Sequence, residues 1–253
     1  SREKYEIFCS EHLPGFIDTP NCIHSEYKGK KEEYGYDDLP NESKAVLAIS
    51  FSCLLYLNLI DNKFEGKPID KFKKFLDKLE NKVDVLSTAE IEIAKYCFAE
   101  PPSDCRKTIE LRKKIRNNFL KTSEEKLPKD ASEVLRIAFN GACDIHLLQA
   151  ANIMDQNGID GVRQDSWIAT KDKKLVDFCN IFHHVNLDGE VGKYAAKTIH
   201  PEHSKDTYWM LADSDFGVRS LMRRSYHESR EIDFDALIKV ADEAISEIKK
   251  AFN

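Results

Sequence analysis

The sequence predicts an α/β protein with helix-rich extensions. Three observations predict it. The chain has 253 residues and is 42% hydrophobic, enough for one large α/β domain with an appendage. Two short apolar stretches, "KVDVLS" (82–87) and "SWIAT" (166–170), each lead directly into an amphipathic segment. The apolar run Ala45 to Ile60 opens with a strand-like half and closes like a buried helix.

In chain order, residues 1–43 read as an irregular N-terminal arm. Pro14, Gly15, Pro20, Gly29, Gly35 and Pro40 punctuate it, and only Gly15 to Thr19, "GFIDT", suggests a strand. From Ile69 to Asn81, Phe72, Phe75, Leu76 and Leu79 share one face, which is helical spacing. Ser87 with Glu90 three residues later reads as a capping box for a helix that stops before Pro101-Pro102. A basic amphipathic helix follows from Arg106 to Lys121, with Leu111, Ile115 and Phe119 as its apolar stripe. A long helix starts at Ala131 and ends near Gln156, before Asn157-Gly158. The stretch "FHHVNLDGEVGKYAAKTIHPEH" fits no single element, and "DTYWMLADSDFGVRSLMRRSYH" reads as helical in part. An amphipathic helix from Phe234 closes the chain, with Asp233 as N-cap. The organisation expected is an arm (1–43), an α/β core (44–184) and a mainly helical extension (185–253).

The charge balance excludes one class of function. A net charge of −6 leaves no whole-molecule basic field for nucleic acid, so any such site must be a local patch. Seven scattered cysteines with no CxxC pair, several among apolar neighbours, suggest reduced thiols in an intracellular, cytoplasmic setting. No charged segment followed by an apolar one opens the chain, so no signal peptide is expected. The uncharged run from Ala45 to Ile60 is short for a bilayer span and contains Ser50, Ser52 and Asn58, so it reads as core and no membrane association is expected.

Candidate chemistry rests on carboxylates. Asp144 is the only formally charged residue between Ile137 and Met154, and an isolated acid in an apolar helix is costly to bury without a partner. It can be a hydrogen-bonded structural group, a metal ligand or a catalytic acid. Asp172 stands where the "SWIAT" strand hands over to a helix. It can cap that helix, or sit where open parallel sheets place their ligands. Glu92 lies two residues beyond Glu90 and so points elsewhere on the helix. Taken alone, it is an ordinary solvated glutamate.

Together, "CDIHLLQAANIM" with Asp144, Ala150 and Ala151, "WIATKDKKLVDF" with Thr170 and Asp172, and "VDVLSTAEIEIAKYCF" with Glu92 resemble PIN-type nuclease domains over about residues 45–180. The resemblance implies a Rossmann-style three-layer core around a short parallel sheet, and an endoribonuclease in which acidic groups bind one or two divalent cations. The family's first acid follows the first strand. Here either Ser50 occupies that place, which removes a ligand, or Asp18 of "FIDTPN" supplies it across a long insert. The implied catalytic and metal set is then Asp18, Glu92, Asp144 and Asp172. Hard oxygen ligands suit Mg²⁺ or Mn²⁺, which would lower the pKa of a bound water and stabilise charge on the attacked phosphodiester.

Arg106, Arg112, Lys113 and Arg116, with Lys107 and Lys114, form the candidate RNA face; Lys28, Lys30, Lys31, Arg219, Arg223 and Arg224 could extend it. A solvated helix face is the plain alternative. His183, His184, His200 and His203 match no closed zinc spacing. The rival function is a binding module without catalysis. It would act through protein partners, or as a homo-oligomer, by way of the helical extension, with Tyr208, Trp209 and the closing helix as the surface.

Overall fold

The computed structural model describes residues 34–121, 127–157, 173–187, 190–197, 199–227 and 233–252. Asp18, Asp172, the "GFIDT" and "SWIAT" stretches, and Lys28, Lys30 and Lys31 lie outside them. The elements are α1 (Asn41–Lys63), α2 (Pro68–Lys78), α3 (Thr88–Phe98), α4 (Arg106–Phe119), α5 (Ala131–Asn157), α6 (Lys173–Cys179), β1 (Phe182–Leu187), β2 (Glu190–Lys197), α7 (Thr207–His227) and α8 (Phe234–Ala251). Short 3₁₀ turns cover Tyr36–Asp38 and Pro201–Lys205.

The architecture corrects the α/β expectation. Among the described residues there is no parallel sheet. Strands β1 and β2 form only an antiparallel hairpin, with Phe182 opposite Lys197. The layers are helix on helix. Helix α1 is the hub and packs against α8, α5, α2 and α3.

The misread strand at 45–60 has a physical cause. Ala48, Phe51, Cys53, Leu54, Leu55, Tyr56 and Leu57 are all buried, so α1 is covered on every side and shows no 3.6-residue alternation. Its polar groups are satisfied inside the helix. Ser52 Oγ donates to the Ala48 carbonyl at 2.7 Å, and Asn58 Nδ2 to that of Leu54 at 2.9 Å. By length and composition α1 could cross a membrane, yet protein covers most of its apolar stretch. Ser50 is buried within this helix, so no strand exists there for a first metal acid to end.

"KVDVLS" is not a strand either. Leu79 and Val83 are buried in a wide helical turn that extends α2, and Asp84 ends it in the left-handed conformation at φ 61°. Of the apolar residues in the stretch, Val83 is the last core contact of that helix, and Val85 and Leu86 pack against the core in the connection beyond it.

Gly141 sets how closely α5 approaches its neighbours. A Cβ there would stand 2.8 Å from Leu54 Cδ1 and 3.1 Å from Phe119 Cδ1, so only glycine lets α5 meet α1 and α4 at this point. The expected extension is part of the same packing: α8 lies on α1 and α5, burying Ala241, Ala244, Ile245 and Ile248. Asp233 caps α8 as expected, accepting from the Ala236 amide at 3.1 Å.

Candidate interaction surface and the buried ion cluster

Glu92 is not a solvated residue. Helix α3 is buried all round, and Glu92 and Lys95, one turn apart, are both inside. Lys95 Nζ lies 2.8 Å from the Glu92 carboxylate and 2.6 Å from that of Asp213 on α7. Its side chain is 1% exposed. Lys197 at the end of β2 reaches the same Asp213 oxygen at 2.7 Å. Burial disfavours the Lys95 charge, but the two carboxylates outweigh it and hold the ammonium pKa above its ordinary value. Burial likewise works against the Asp213 charge, and Lys95 and Lys197 overcome it, holding that carboxyl below the usual range.

An aromatic group walls the cluster. Trp209 lies under Lys95, with Nζ 5.4 Å from the ring centre. His203 stacks on Trp209 at 3.9 Å, and the Tyr96 ring meets Trp209 edge-on at 4.8 Å. Tyr208 Oη donates to the Lys95 carbonyl at 2.9 Å. Burial, reinforced by His200 and Lys95, drives the His203 pKa down to about 4, so this imidazole is neutral at pH 7. Tyr96 Oη, His203 Nε2 and Trp209 Nε1 have no hydrogen-bond partner among the described residues. The group ties α3 to α7 and the hairpin. In it Glu92 is matched by an ammonium group, and Tyr208 and Trp209, expected at a partner surface, are core residues.

Of the other predicted residues, Asp144 and the basic residues of α4 lie among those described. Asp144 is half-buried on α5, so its desolvation cost is smaller than an apolar helix implied. No group of three or more His, Cys, Asp or Glu able to hold a metal exists among the described residues. On α4, Arg106 and Lys113 are exposed, while Arg116 turns inward and makes a two-pronged pair with Asp61 at 2.8 and 2.7 Å. Arg116 also donates to the Cys97 carbonyl at 2.7 Å. Arg112 is half-buried, and burial lowers its pKa. Lys114 pairs with Glu110 and Asp177. Of the expected basic face, Arg106, Lys107 and Lys113 stay exposed and Lys114 pairs with half-exposed carboxylates, while Arg116 is drawn into an interior ion pair. Arg219 and Arg223 behave alike: Arg219 reaches Asp77, Glu80 and Asp215, and Arg223 reaches Asp84.

The surface that stands out was not singled out in the sequence. Helix α7 has two apolar faces. Tyr208, Trp209 and Ala212 are buried and Phe216 packs beside them. The opposite face presents Met210, Leu211, Val218, Leu221 and Met222 to solvent, with Leu221 72% and Met222 77% exposed. Successive 100° steps put these five, with Ser214 between them, on one side of the helix. Their exposed parts amount to roughly 600 Å², the upper end of the apolar patch a monomer commonly carries. Gly217 borders the stripe, and a Cβ there would meet nothing within 4 Å, so nothing inside the fold calls for glycine. A hollow of about 520 Å³, lined by Glu80, Asp84, Arg219, Met222 and Arg223, adjoins it. A helical wheel would have shown both faces; the buried one, rich in aromatics, masked the other. No family model matches this chain, and no curated protein or solved structure matches it.

Proposed function

We propose that this chain is a non-catalytic, helical protein-interaction module that docks an apolar helix on the outer face of α7. One observation carries the reading: Met210, Leu211, Val218, Leu221 and Met222 form a single exposed stripe on a helix whose other side is anchored in the core. Scattered exposed apolar residues are ordinary, whereas a contiguous stripe of this size is the kind of patch that often serves as a binding surface. The anchoring supports the reading too. The ion pairs of Arg219, Arg223 and Asp213 hold α7 rigidly, so a partner meets a preformed surface.

The test is a selection from a displayed library of amphipathic helical peptides, run on the wild-type protein and on Leu221→Glu. Peptides enriched on the wild type should lose most of their binding on the variant, because a carboxylate in the centre of an apolar contact is left without a partner. Enrichment that is absent, or equal on both proteins, overturns the reading.

The rival, a Mg²⁺- or Mn²⁺-dependent endoribonuclease acting on RNA, has less to rest on. The parallel sheet that would gather its acids is not the observed architecture, and Glu92 already has an ammonium partner. It has its own test: Mn²⁺-dependent cleavage of RNA that Asp144→Asn abolishes would restore it.

A further inference from the structure

We infer that the helix docked on α7 is α7 of a second copy of this chain, lying antiparallel across a twofold axis near the level of Phe216. This rests on the docking reading and names its partner. The argument begins with the order of residues in "MLADSDFGVRSLM", 210–222. The stripe is symmetric about Phe216: Met210 matches Met222, Leu211 matches Leu221, and Ser214 matches Val218. A twofold contact uses the same patch on both subunits, so it requires a surface complementary to itself. A stripe with this symmetry meets that requirement in the antiparallel orientation. Met210 and Leu211 of one copy then lie against Leu221 and Met222 of the other, and Ser214 lies against Val218 on both sides of the axis.

Charge and shape agree with this arrangement. Asp215 and Arg219 border one edge of the stripe, 3.2 Å apart within their own helix. Reversing the second helix brings Asp215 of each copy beside Arg219 of the other, and it opposes the two helix dipoles. A parallel pair would place like beside like. Ser214 and Gly217 keep the middle of the stripe low, which allows the helices to approach closely, and the glycine has no competing role inside the fold. The area is adequate as well. Roughly 600 Å² of apolar side chain per copy, with its polar rim, approaches the 800 Å² per partner of a standard interface.

The experiment uses the full chain. Sedimentation velocity over a hundredfold concentration range should show a reversible dimer, and Leu221→Glu should raise its dissociation constant about thirtyfold or more while the circular dichroism spectrum stays unchanged. The double variant Leu211→Cys/Met222→Cys, treated with copper phenanthroline as oxidant, should form a covalent dimer well above the wild-type background. Each single variant should not, because in the antiparallel pair position 211 faces position 222. Efficient dimer formation by either single variant overturns the orientation. A chain that is monomeric throughout yet still captures helical peptides on α7 overturns self-pairing and leaves the docking reading in place. A monomer that captures none overturns both.

Discussion

Replacing Lys95 by methionine should destabilise the fold by about 3–5 kcal/mol at pH 7, because it strands a buried carboxylate. The magnitude follows from the geometry. Methionine keeps the length and most of the volume of the lysine stem against Trp209, so little packing is lost. What disappears is the ammonium 2.8 Å from Glu92, whose side chain is only 6% exposed. Asp213 contributes little to the loss, since it is 45% exposed and keeps Lys197 at 2.7 Å. Urea denaturation of the wild type, Lys95→Met, Glu92→Leu and the double variant completes a cycle. The double variant should lie within about 1–2 kcal/mol of wild type, because removing both charges together also removes their desolvation cost. The pH dependence has a defined sign. The lysine pKa is raised on folding, so this stabilisation is fully present below the unfolded value of about 10.4 and is lost only as pH rises through the folded value. A Lys95→Met protein within 1 kcal/mol of wild type would refute the account, as would a double variant as damaged as the single one.

His203 should make stability fall in acid. Its folded pKa of about 4 is below the unfolded value near 6.5, so between those pH values the unfolded chain binds a proton that the folded chain does not. Stability should decline by up to about 3 kcal/mol from pH 6.5 to 4, and His203→Gln should flatten that part of the urea-midpoint profile. The two helical glycines should respond in opposite directions. Gly217→Ala adds a methyl group to open space and should stabilise the monomer by about 0.5–1 kcal/mol in thermal unfolding of the dilute protein. Gly141→Ala drives a methyl group into Leu54 and Phe119 and should destabilise it by about 1–3 kcal/mol.

Local structure was legible wherever one face of an element meets solvent. Helices α2, α4 and α8 carry a single apolar stripe, and the spacing of Phe72, Phe75 and Leu76, or of Leu111, Ile115 and Phe119, located them. The Asp233 cap was legible for the same reason: its partner is three residues away. The Ser87–Glu90 box was half right. The helix starts there, but the Ser87 hydroxyl donates to the buried Glu90 carboxylate and accepts no main-chain amide. Legibility failed where an element is buried all round. Helices α1 and α3 show no period because every side of them touches protein, and α1 was therefore read as part strand.

Charge pairing was illegible for a related reason: it is set by tertiary neighbours. Nothing near Glu92 announces that Asp213, 118 residues from Lys95, closes its ion cluster. Nor does anything near Arg116 announce Asp61. Glu92, read as a metal ligand, and Arg116, read as part of an RNA face, are charges that the fold pairs internally, with Lys95 and with Asp61. Exposed apolar residues follow the opposite logic. Once α7 is known to be a helix held on one side by Trp209 and Ala212, the opposite side is fixed by the 100° step alone, and Met210, Leu221 and Met222 must face outward. Their exposure needs no distant partner to be understood, whereas the charges near them do, which is why the docking face rather than the carboxylates bears the functional argument.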